Sequence, residues 1–148
     1  MGLFSKKKKT DDLMQELISS GNFDKYCQEN SDFLIRTSLT NHLEKMLKKK
    51  KLKKADVIRR TEFSEVYCYQ IFSGRRNPSR DVLICICVAM GMNIDEVQKT
   101  LKIAGTGTLY PRKERDSIII LGITGGKSVA QINSELYDKR YPTLSQCR

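Results

Sequence analysis

Apolar residues recur at helical spacing along most of the chain, separated by short polar stretches suited to capping helices. The clearest run lies between Leu52 and Val97. Its first piece, Lys53–Thr61, turns Val57 and Ile58 inward. After a break at Glu62 and Phe63 comes Ser64, whose hydroxyl can accept a free N–H of a first helical turn. The second piece, Glu65–Phe72, places Cys68, Ile71 and Phe72 on one face at i, i+3 and i+4. Gly74 stops it where a positive φ costs least. Two helices joined by so short a turn make a helix-turn-helix. Pro78 and Ser79 then open a third, strongly apolar helix that runs to Gly91.

The flanking segments follow the same period. Asp11 and Asp12 sit where the positive end of a helix dipole favours acids. Leu13, Met14, Leu17 and Ile18 form a stripe up to Gly21, and a second short piece holds Phe23, Tyr26, Phe33 and Leu34. These residues need a surface to cover, and the central segment is the expected one. Ser38 or Thr40 caps a helix through Leu43, Met46 and Leu47 that ends in the basic run Lys48–Lys54. Asn93 and Glu96 form a capping box for a helix through Val97 and Leu101. Gly105 and Gly107 mark a linker. Tyr110-Pro111 is expected to restart a helix, since proline is tolerated in a first turn. Ser128 and Gln131 form a second capping box, ahead of Val129, Ile132, Leu136 and Tyr137, and Pro142 ends that helix. Strand signals are weak. The expectation is an all-α chain in three parts: a basic tail and helical extension at 1–37, a helix-turn-helix domain at 38–103, and a C-terminal helical hairpin at 104–148. The hairpin either completes the core or meets a second copy.

The order of these signals resembles the lambda-repressor-like, or Xre/Cro-type, helix-turn-helix family. The matching residues are Leu52, Val57, Ser64, Ile71, the run Gly74-Arg75-Arg76-Asn77-Pro78-Ser79, Leu83, Ala89, Gly91 and Asp95-Glu96. The resemblance spans Leu39 to Leu101 without insertion. It implies a five-helix domain, here with extra helices at both ends. It further implies DNA binding, with the helix Glu65–Phe72 in the major groove. By position in that fold, Glu65, Val66, Tyr69 and Gln70 face the bases. Lys53, Lys54, Ser64, Arg75, Arg76 and Asn77 lie where the family meets the DNA backbone. Two positions depart from the family pattern. Lys54 stands where glutamine is common, and Glu62 where glycine is common, which predicts a mildly strained turn.

Charge points the same way. The 148 residues carry a formal net charge of +10 and a pI of about 9.5, the footprint of a chain that meets a polyanion. A hydrophobic share of 39% supports only a modest core. The five cysteines are an odd number, and three fall in expected core helices, which argues against a disulfide framework. Cys85 and Cys87 point apart on a helix and cannot jointly clamp a metal. Buried thiols in a reducing cytoplasm are the expectation. No apolar run is long enough to cross a membrane, and no apolar core follows the basic N-terminus as in a signal peptide. Lys6 stands where a myristoylation motif wants serine or threonine.

Enzymatic chemistry finds no foothold. His42, the single histidine, has no cysteine or serine at catalytic spacing and is expected at the surface. Gly125-Gly126-Lys127-Ser128 looks like a fragment of a phosphate loop, but the required earlier glycine is Leu121. A turn followed by an N-cap is the simpler reading. The sequence therefore predicts a cytoplasmic, cofactor-free, sequence-specific DNA-binding regulator. Double-stranded DNA is the partner, and a homodimer is expected because one reading helix spans only a half-site. The alternatives are an adaptor that binds another protein through its helical extensions, and charge-driven binding of nucleic acid without sequence preference.

Overall fold

A computed structural model describes residues 9–30 and 38–144. Among them the chain forms nine α-helices and no strand. They fall into two compact units, Met1–Arg36 and Thr37–Arg148. The lysine tail before residue 9, together with Phe33 and Leu34, lies outside the described residues.

The first unit contains α1 (Thr10–Ser20) and α2 (Phe23–Glu29), which pack on each other. Asp11 and Asp12 occupy the first turn of α1, and Gly21 closes it at φ 60°. The Asn22 side chain caps α2 by accepting from Lys25 N. Neither helix buries a residue, and Met14, Ile18 and Phe23 are largely exposed.

The second unit comprises α3 (Leu39–Lys50), α4 (Lys54–Arg60), α5 (Glu65–Phe72), α6 (Arg80–Ala89), α7 (Ile94–Ala104), α8 (Glu114–Thr124) and α9 (Val129–Asp138). Its post is α6. Val82, Leu83, Ile84, Cys85, Ile86, Cys87 and Ala89 are all buried, so the helix is apolar on nearly every side. It packs against α4, α7 and α9, while α3 packs against α5 and α7. The expected caps are in place. Ser38, Ser64 and Ser79 accept from the backbone N–H of Asn41, Tyr67 and Val82, and both capping boxes form. Lys51 ends α3 in the left-handed region at φ 55°, a position where glycine is the usual residue.

Long-range ties complete the packing. Glu96 of α7 receives Lys50 at 2.9 Å and Lys49 at 3.2 Å from α3. Burial alone would raise its pKa, but the hydrogen bond from Asn93 N and the two lysines bring it down to about 2. His42 is not at the surface as its sequence neighbours suggested: it is buried, with Nε2 2.9 Å from Thr100 Oγ1. The Thr100 hydroxyl donates to Glu96 O at 2.8 Å, so the imidazole must be the donor in the first bond. Burial, then Lys99 and Lys45, lower the His42 pKa. Cys68, Cys85 and Cys87 are buried thiols in no disulfide, and burial pushes Cys87 up to about 12.

The C-terminal hairpin shares the core of the helix-turn-helix segment. Leu109, Ile119, Ile123, Val129, Ile132, Leu136 and Leu144 join the same buried cluster as α3–α7. Gly122 lets α8 and α9 close up, for a Cβ there would stand 2.5 Å from Ile132 Cγ1. Two ion pairs fasten the hairpin to the start of α6: Arg80 with Asp116, and Asp81 with Arg115. The Gln98 amide both donates to Leu109 O (2.9 Å) and accepts from Leu109 N (2.8 Å), pinning the linker.

One helix start differs from expectation. Pro111 lies in a turn, and α8 begins only at Glu114. Tyr110 N donates to Asp116 Oδ2 at 2.9 Å, a side-chain bond that closes the intervening residues into a loop. Glycines 125 and 126 form the turn of the hairpin and Ser128 caps α9, as the failed phosphate-loop match implied.

Candidate nucleic-acid interface

The turn between α4 and α5 is organised by Thr61, a buried residue. Its hydroxyl donates to Ile58 O at 2.7 Å and accepts from Phe63 N at 3.4 Å. These bonds close the turn without a left-handed residue. Among the described residues only Lys51 and Arg140 are non-glycine with positive φ, so the strain expected at Glu62 is absent. Gly74, beyond α5, does take the left-handed conformation at φ 85°.

The eight residues of α5 divide sharply between two faces. Cys68, Ile71 and Phe72 are buried. The large aromatic Phe72 is fully enclosed, with the Lys54 ammonium 5.6 Å from its ring centroid. On the other side Glu65 is exposed, Val66 is 68% exposed and Tyr69 44%, while Gln70 is half-buried. The four side chains placed toward bases by the sequence thus share the outer side of one helix. Val66 and Gln70, one turn apart, form a crest between two open clefts.

The larger cleft, about 650 Å³, includes Glu62, Tyr67, Gln70 and Arg76. The smaller, about 450 Å³, includes Lys54, Glu65, Tyr69 and Arg75. Each therefore has an arginine and an acid in its lining. Of the six residues assigned to the DNA backbone, Lys54, Ser64, Arg75 and Arg76 line these clefts; Lys53 and Asn77 are exposed but line neither.

The cations are not equally available. Lys54 Nζ lies 2.6 Å from Glu44 Oε2 on α3, so its charge is already half answered within the protein. Lys49 and Lys50 are committed to Glu96, a structural use of the lysine run. Arg76 is engaged twice. Its Nε donates to Gln70 Oε1 at 3.1 Å, and its guanidinium carbon stands 5.2 Å from the Tyr67 ring centroid. Tyr67 in turn meets Phe63 edge to face, centroids 5.8 Å apart. Tyr67 was not singled out by sequence pattern. Its spacing, four after Phe63 and three before Gln70, is the signal that places all three on one side of the helix start.

Among the described residues no group of three His, Cys, Asp or Glu could hold a metal ion, and no helix is long and apolar enough to cross a membrane.

Residues 42–100 match the family model of the Cro/C1-type HTH DNA-binding domain. No curated protein and no solved structure matches the chain. The matched segment runs from the first turn of α3 into α7, with α4, the Thr61 turn and α5 at its centre. Residues 42–100 are thus similar to a Cro/C1-type HTH DNA-binding domain, and further helices lie on both sides of them.

Proposed function

We propose that the chain, as bearer of a Cro/C1-type domain, is a sequence-specific transcriptional regulator that lays α5 in the major groove of duplex DNA. The observation that carries this is the outer side of α5. Glu65, Val66 and Tyr69 are exposed there with Gln70 beside them, between clefts that each hold an arginine. In a groove, Gln70 pairs with adenine through two hydrogen bonds, Glu65 accepts from the cytosine amino group, and Val66 meets a thymine methyl. Tyr69 reaches a base or a phosphate. Lys53, Lys54, Arg75, Arg76, Asn77 and the helix start at Ser64 hold the phosphates and set the register. A homodimer in the cytoplasm, reading two half-sites, completes the proposal.

The test is a selection from random duplexes at a stated salt concentration. Enrichment of one motif, altered by Gln70→Ala or Glu65→Ala, is the expected result. A selection that enriches nothing removes the proposal.

A second reading is an adaptor that engages another protein through its extra helices. The exposed Leu121 (69%) and Tyr137 (75%) on the hairpin, with Ile18 and Phe23 on the first unit, favour it. A partner captured by the full chain should then survive neutralisation of Lys53 and Lys54. Loss of the partner on that change removes the adaptor reading.

A further inference from the structure

The side chain of Gln70 is held in place before any ligand arrives. Its backbone carbonyl accepts from Arg75 N (2.9 Å) and Arg76 N (3.2 Å), which folds the segment after α5 back on the helix. That return brings the Arg76 side chain alongside, with Nε donating to Gln70 Oε1. The guanidinium is itself laid against Tyr67, and Tyr67 against Phe63. A free glutamine turns about three side-chain bonds, and ordering it on binding costs rotamer entropy. Here part of that ordering is already done.

The contact also decides which way the amide points. Guanidinium N–H groups only donate, so the oxygen of Gln70 must face Arg76 and the amide nitrogen must face away. Adenine is read by an amide whose oxygen accepts from N6 and whose nitrogen donates to N7, so the two ends are not interchangeable. The Gln70 oxygen has a second lone pair left for a base.

We infer that Arg76 is a positioning residue for Gln70 and sets the base preference of the helix without itself touching that base. The inference rests on α5 reading the major groove as proposed above. It is a second role for Arg76, beside the phosphate contact proposed above. Lysine separates the two, because it keeps the charge but has neither the Nε–H nor the flat group that lies on Tyr67.

The experiment uses the full chain and its Arg76→Lys, Gln70→Ala and doubly substituted forms. Each is put through random-duplex selection, followed by affinity measurements on the best site and its single-base variants across a salt series. For Arg76→Lys the salt slope should stay that of the parent. Discrimination at one base pair, the same one that Gln70→Ala affects, should fall about tenfold. In the Gln70→Ala background the lysine should change discrimination no further. A parent motif left intact by Arg76→Lys overturns the positioning role alone, as does a change at a different base pair. A parent chain that selects no motif overturns the groove reading and this inference with it.

Discussion

Arg80 and Asp116 meet through two parallel hydrogen bonds, Nη1 to Oδ2 at 2.9 Å and Nη2 to Oδ1 at 2.7 Å, with the carboxylate only 2% exposed. Arg80 begins the central helix α6, and Asp116 lies in the first turn of α8. Burial by itself would raise the Asp116 pKa, but the bonds from Arg80 and Tyr110 N hold it below the usual carboxylate value. Removing the acid leaves the partly buried guanidinium without its carboxylate, keeping only the bond to Thr108 O, and frees Tyr110 N as well. Asp116→Ala should therefore cost about 3 kcal/mol. Urea unfolding followed by circular dichroism checks it. A cost under about 1 kcal/mol would place this pair with ordinary surface ion pairs.

Glu44 and Lys54 give a prediction of opposite kind. Both side chains are about a third exposed or more, so their ion pair adds little to stability. It does withhold a cation from the proposed DNA face. Glu44→Gln should leave the thermal midpoint nearly unchanged, strengthen binding to any duplex, and steepen the salt dependence by about 0.9 in the log–log slope. A fluorescence-anisotropy titration across a salt series reads this directly. An unchanged slope would show that Lys54 makes no phosphate contact even when released.

Acid should weaken the fold in two separate steps. His42 is kept neutral by burial, with an ordinary value of 6.5 that the folded protein lowers. Below pH 6.5 the unfolded chain binds the proton more readily, so stability falls as pH drops from there toward the folded value. Glu96 contributes in full above its ordinary 4.5, and that contribution disappears as pH falls toward about 2. Chemical-denaturation midpoints from about pH 7.5 to about pH 3 should show an early decline that His42→Gln removes and a later one that it spares. A single decline confined to the carboxylate range would deny His42 any part.

These cases also mark what sequence pattern reveals. The bounds of α5, the serine caps at 64, 79 and 128, the choice of Ser38 or Thr40 ahead of α3 and the box at Asn93 were all legible, because each rests on residues within four positions of one another. The start of α8 was not, since a bond from Tyr110 to Asp116 and the reach of Arg80 across the fold decide it. His42 looked like a surface residue because its partner Thr100 lies 58 positions away. Glu62 is spared the strain its position predicts because the hydroxyl of Thr61, a turn-former, closes the turn. At the interface, the buried face of α5 was readable from its period, whereas the outward residues Glu65, Val66, Tyr69 and Gln70 were assigned by resemblance to the Xre/Cro-type family. The commitment of Lys54 to Glu44 and of Arg76 to Gln70 depends on how separate helices and loops converge.

The Arg–Asp pairs and the buried residues of α8 and α9 bear on how freely this domain can be moved between proteins. The segment matching the family model stops at residue 100, yet the core it relies on continues through Leu109, Ile119, Ile132 and Leu144. Cut at that limit, α6 would present bare hydrocarbon where α9 now lies, together with an unanswered Arg80. Here the cassette that could be grafted elsewhere is longer than the motif by which it is found. Any fusion or swap made with this domain should carry its C-terminal hairpin along.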